Sequence, residues 1–121
     1  MTNETATKME TYKVKRDGKR DLRFVGQRVA YATSQTHRGD TQNRWDEYTL
    51  YRTATGKFVL QMEYFTCWQG ESGSDRAVVC DSEQEVILAL ESVDPCNGES
   101  FLLDLAKELL EEAGIDCAEE L

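Results

Sequence analysis

The chain has 121 residues and a mass of 13.8 kDa, with 40% hydrophobic and 31% charged side chains, a composition that fits one domain with a real core. Lys and Arg total 14 against 23 Asp and Glu, a formal net charge of −9, which disfavours general attraction to nucleic acid or to an anionic membrane. No apolar run approaches the roughly 20 residues of a membrane span and the N-terminal region lacks the apolar core of a secretory signal, so a soluble cytoplasmic domain is expected.

Residues 1–11 are rich in Thr, Lys, Glu and Asn without a period and read as a flexible leader. Tyr12 to Arg16 alternates, and Asp17-Gly18 is a strong hairpin-turn dipeptide. Leu22 to Ala32 alternates again, with a switch of face near Gly26 where a β-bulge is expected. Ser34 to Asn43 is a polar loop. Trp45 to Thr53, a Thr55-Gly56-Lys57 turn and Phe58 to Phe65 form the clearest hairpin. Cys67 to Asp75 is a Gly/Ser-rich loop before a short strand, Arg76 to Cys80.

The period then changes from two to 3.6. Ser82 with Glu85 three residues on is a capping box that starts a helix carrying Val86, Ile87, Ala89 and Leu90. Asp94-Pro95 stops it. Ser100 is expected to cap a second helix, Phe101 to Ala113, with Leu102, Leu105, Ala106, Leu109 and Leu110 on one face. Gly114-Ile115 fits a Schellman stop. Strands followed by helices predict an α+β domain over residues 12–115, a four- to five-stranded antiparallel meander with two C-terminal helices on one face. Residues 116–121 are an acidic tail.

The charge is unevenly distributed. Residues 1–30 hold eight basic and four acidic side chains, whereas residues 81–121 hold thirteen acidic ones and a single base, Lys107. Such asymmetry marks either an interaction surface or charges that neutralise one another inside the fold. The four cysteines, Cys67, Cys80, Cys96 and Cys117, form no Cys-x-x-Cys pair, and the one histidine is His37. Zinc is therefore not expected, and in a reducing compartment neither are disulfides.

Enzymatic signals are weak. A nucleophile, base and acid drawn from Cys67 or Cys80, His37, and Asp40 or Glu71 lack any nucleophile elbow, and no glycine completes a phosphate-binding fingerprint. No catalytic residue, metal or cofactor is assigned. Three surfaces remain. The Trp68-Gln69-Gly70-Glu71-Ser72 segment offers Trp68 and Glu71 to a partner, or Trp68 covers an open end of the core. The N-terminal bases Lys13, Lys15, Arg16, Lys19, Arg20 and Arg23, interleaved with aromatic rings, suit phosphate tracking, or guard a sheet edge. The second helix presents Asp104, Glu108, Glu111 and Glu112 opposite its leucines, with almost no basic residue to form the usual i,i+4 pairs. This acidic face is either solvated or directed at a basic groove.

The segments Leu50-Tyr51-Arg52-Thr53, Gly56-Lys57-Phe58-Val59 and Trp68-Gln69-Gly70-Glu71 resemble small accessory proteins of bacteria and their mobile elements, as does Leu105 to Ile115. In size and acidity the chain is also similar to phage-borne inhibitors such as anti-CRISPR proteins. The resemblance carries no activity with it; the acidic helix face leads to the expectation of a non-enzymatic inhibitor or regulator that binds a basic surface of a protein or nucleoprotein complex, with nucleic-acid mimicry as one form of it and homodimerisation open. The alternative is a nucleic-acid-binding protein acting through the basic hairpin.

Overall fold

A computed structural model describes residues 9–34, 44–67, 70, 72–91 and 99–116, with 44, 91 and 99–104 described by their backbone. The chain forms five strands and then two helices: β1 (Glu10–Val14), β2 (Leu22–Thr33), β3 (Arg44–Thr53), β4 (Phe58–Thr66), β5 (Ser74–Cys80), α1 (Glu83–Glu91) and α2 (Glu99–Ala113). The strands make one antiparallel sheet in the order β1-β2-β3-β4-β5. The expected α+β meander with two C-terminal helices is the architecture observed.

Local chemistry explains the boundaries. Gly56, at φ +90°, turns the β3–β4 hairpin, and Thr53 closes it by donating its N–H to Lys57 C=O at 2.7 Å. Ser82 Oγ accepts the Glu85 N–H at 3.2 Å and Glu85 Oε1 accepts the Asp81 N–H at 2.7 Å, satisfying donors at the start of α1. At the end of α2, Gly114 (φ +77°) donates to Glu111 C=O and Ile115 to Leu110 C=O, the two bonds of a Schellman stop.

Three expectations need correction. The first strand starts at Glu10, inside the residues read as a leader. The bulge lies between Arg28 and Ala30, not at Gly26. Gly26 serves a different purpose, because a Cβ there would sit 2.3 Å from the Arg52 carbonyl oxygen on β3. Finally, α2 begins at Glu99, so Ser100 is the second residue of the helix and not the residue before it. The expected stop at Asp94-Pro95 falls outside the described residues.

The sheet buries both faces. Alternation puts Ala30, Ala32, Tyr48, Leu50, Phe58, Leu60, Met62 and Cys80 on one side, against Val86 and Leu90 of α1 and Leu105, Leu109 and Leu110 of α2. Leu50, Leu60, Val86 and Leu109 are fully buried, each contributing roughly 1.5–3 kcal/mol relative to exposure. On the other side Val14, Tyr51, Val59 and Ala77 cluster with Tyr12, Leu22 and Phe24, and among the described residues no helical residue joins them. Burial there comes from the sheet curling on itself. The β1–β2 turn reaches β5, where Asp17 N–H donates to Asp75 C=O and Asp75 N–H donates to Asp17 Oδ2, both at 2.8 Å. This second face is thus concave. Among the described residues no helix is long and apolar enough to cross a membrane.

Candidate basic-partner interface

The outer end of the concave face is polar, and the register determines what it presents. The β3–β4 pairing sets Glu47 directly opposite Glu63, and the β4–β5 pairing sets Glu63 directly opposite Asp75. Three carboxylates on three adjacent strands therefore form a row across the sheet. Asp75 turns both backbone groups away from β4 to bond Asp17, so Glu63 and Asp75 form a non-hydrogen-bonded pair, the closer kind, with Cα atoms about 4.5 Å apart. Like charges directly opposite are destabilising. Burial raises the Glu63 carboxyl above its ordinary value, and the charges of Glu47 and Asp75 push it further.

Aromatic groups frame the row. Trp45 stacks on its cross-strand partner Phe65 with ring centroids 5.4 Å apart, and its Nε1–H donates to Glu47 Oε2 at 3.0 Å. Tyr31 of β2 stands on the other side. Its phenol is raised by burial, then by a hydrogen bond to Glu47 and that residue's charge. Arg28 lies over the Tyr31 ring, 5.8 Å from its centroid. Deeper in the face Tyr51 Oη–H donates to Gln61 Oε1 at 2.8 Å, and the rings of Tyr12, Phe24 and Tyr51 pack at 4.7–5.7 Å.

The row connects to α2 around the edge of β2. β1 pairs with β2 only as far as Gly26, so the outward N–H of Tyr31 has no strand partner. Glu112 Oε1 accepts it at 2.8 Å. Glu112, expected to face a partner, is thus engaged within the fold through one oxygen. Glu108 and Glu111 are exposed beside it, and the last turn of α2 contains no basic residue. Carboxylates at a helix C-terminus carry the wrong sign for the macrodipole, by about 0.3–1 kcal/mol each. An acidic band therefore runs from Glu108 and Glu111, through Glu112 and Tyr31, to Glu47, Glu63 and Asp75. The ion pairs found among the described residues, Lys13–Asp21 at 3.8 Å and Lys57–Asp81 at 3.2 Å, lie outside it.

The basic candidates gather on the β1–β2 hairpin. Lys13 and Arg23 are cross-strand partners, and Lys15 continues their face. Arg16, Lys19 and Arg20 surround the turn, with Arg16 Nε–H donating to Arg20 C=O at 2.9 Å. Asp104 lies in α2. Trp68 and Glu71 fall outside the described residues, as do His37, Asp40, Cys96 and Cys117. Cys67 and Cys80 are free thiols, and burial raises the Cys80 thiol, with the nearby charges of Glu85 and Asp81 adding to it.

Sequence reasoning missed Glu47, Glu63 and Asp75. One of the two contacts was readable: counting outward in step from the Thr53–Lys57 closing pair places Glu47 opposite Glu63. The β4–β5 connection is not a tight turn and gives no such count. Comparison with protein-family models, curated proteins and solved structures finds no match.

Proposed function

We propose that this protein is a non-enzymatic binding protein that engages a basic surface of a protein or nucleoprotein complex, as an inhibitor or regulator of it. The reading rests on one observation: three carboxylates stand in direct cross-strand register, with no cation paired to them among the described residues. A partner supplying Arg or Lys side chains would relieve that repulsion, and Trp45 and Phe65 beside the row are rings of the kind on which a guanidinium stacks. The α2 carboxylates Glu108 and Glu111 extend the contact and steer encounter.

The test uses a defined probe, an Arg-rich peptide, followed by amide chemical shifts and calorimetry at low and high salt. Binding is expected to perturb Glu47, Glu63 and Asp75 first and to weaken with salt. Glu63→Gln should weaken it more than Glu83→Gln, which removes the same charge from an exposed site on α1. Equal effects of the two variants, or no binding at low salt, would reject the reading. Binding of a short DNA duplex through Lys13, Lys15 and Arg23 would replace it with the hairpin alternative.

A further inference from the structure

Twice among the described residues an outward backbone N–H at a sheet edge is occupied by a carboxylate from elsewhere in the chain. Glu112 takes the Tyr31 N–H at the β2 edge, and Asp17 takes the Asp75 N–H at the β5 edge. Strand alternation makes Ala77 the next outward residue on β5. Its N–H has no protein partner among the described residues, and Ala77 lines the cavity that adjoins this edge.

That edge borders a cavity of about 280 Å³ lined by Arg16, Asp17, Lys19, Met62, Asp75, Arg76, Ala77, Val78 and Ala89. Three of these are cations. Two are acids, so the lining carries a net single positive charge; Asp17 keeps its charge but is fixed on the Asp75 N–H through Oδ2. Asp75 is in register with Glu63, whose carboxyl its charge raises, so its carboxylate belongs to the concave face. Arg16 is held in place by its Nε–H bond to Arg20. Met62, Val78 and Ala89 supply an apolar wall, and the volume sits at the small end of ligand pockets.

We infer that this cavity binds a carboxylate, seated on the Ala77 N–H and balanced by Arg16, Lys19 and Arg76. The site repeats, one step along β5, the arrangement that Asp17 makes with Asp75. Its apolar wall accepts a short aliphatic body, so the carboxylate comes either from a small fatty acid or from an acidic side chain of a peptide.

Titration of the ¹⁵N-labelled full chain, read at the Ala77 amide, tests this. The probes are butyrate, butyramide and a short Glu-containing peptide with blocked ends. Butyrate or the peptide should shift the Ala77 amide saturably, and whichever does so identifies the source. Butyramide should leave it unmoved. Arg76→Gln, at an exposed position, should weaken the effective probe about tenfold, as expected for a charge-assisted contact. No saturable shift with either carboxylate, an equal response to butyramide, or unchanged affinity in Arg76→Gln would overturn the inference.

Discussion

Replacing Glu63 with glutamine removes the central charge of the carboxylate row and keeps the shape of the side chain. Glu63 faces Glu47 on one side and Asp75 on the other. A like-charge pair directly opposite across strands is worth roughly 0.2–1 kcal/mol of destabilisation. Two such pairs would sum higher, but Glu63 is only partly buried, and solvent screening reduces the total. The expected gain for Glu63→Gln at neutral pH is about 0.5–1 kcal/mol, or on the order of 2–5 °C in Tm for a domain of this size. The gain should depend on pH. Glu63 titrates above its ordinary 4.5 in the folded protein, through burial first and then its two acidic neighbours. A carboxyl raised on folding destabilises the native state when ionised, and protonation relieves this as pH falls through the raised value toward 4.5. The difference between the two proteins should therefore be full at pH 7 and vanish below about pH 4. It should also shrink in salt. Thermal unfolding of both proteins, at two pH values and two salt concentrations, measures all of this. A lower Tm for Glu63→Gln at pH 7, or a gain that persists unchanged in acid, would refute the reasoning.

Three further outcomes follow from the same structure. Glu112→Ala should lose about 0.5–1.5 kcal/mol in urea unfolding by stranding the Tyr31 N–H, while Glu112→Gln retains an acceptor and much of that stability. Gly26→Ala should lose about 1–3 kcal/mol, since its Cβ would drive into the Arg52 carbonyl across the strand pair, and a neutral result in the same assay would contradict the register. The Tyr48 phenol is pushed up to about 12, by burial first and then by Asp46. An unfolded tyrosine ionises near 10, so stability should fall as pH rises from about 10 to 12. Tyr48→Phe should flatten that fall, as followed by phenolate absorbance against unfolding.

Much of this fold is legible in the sequence because its elements are specified locally. The turn at Thr55-Gly56-Lys57, the capping box at Ser82 and the Gly114-Ile115 stop each involve residues within five positions of one another. The curl is different. It depends on Asp17 meeting Asp75, 58 positions away, and no local pattern encodes that contact. The bulge escapes notice for a related reason. Val29 and Ala30 are both apolar and both belong to the helix-facing core, so the extra residue leaves the hydrophobic pattern almost undisturbed, whereas the glycine drew attention to the wrong position. The helix acids Glu108, Glu111 and Glu112 are legible from their spacing and Glu47 opposite Glu63 from the hairpin count, but nothing local brings Asp75 beside Glu63. Position in the sheet is what separates Glu63, between two acids, from Glu85, which closes a helix cap.

That separation bears on why the acids are where they are. One account of the charge asymmetry is internal: basic strands neutralise acidic helices. Among the described residues a single ion pair, Lys57–Asp81, joins the first sixty residues to the acidic C-terminal third, and it touches the start of α1. The acids that serve the fold have donors or counter-charges: Asp17 on the Asp75 N–H, Glu85 on the Asp81 N–H, Asp21 beside Lys13. Those that oppose it have company of their own sign. Glu63 lies between Glu47 and Asp75, and Glu111 stands in the last turn of α2, at its negative end, with Glu108 one turn before it. Glutamine would fit either place without the repulsion, so packing does not require a carboxylate there. Glu112 has a foot in both groups, one oxygen on the β2 edge and its charge beside the exposed acids of α2. It fixes the helix end against Tyr31, whose ring borders the carboxylate row. The result is an acidic surface spanning helix and sheet whose like charges are unfavourable to the isolated chain, and the basic partner we propose would relieve them. That imbalance is the physical argument for binding.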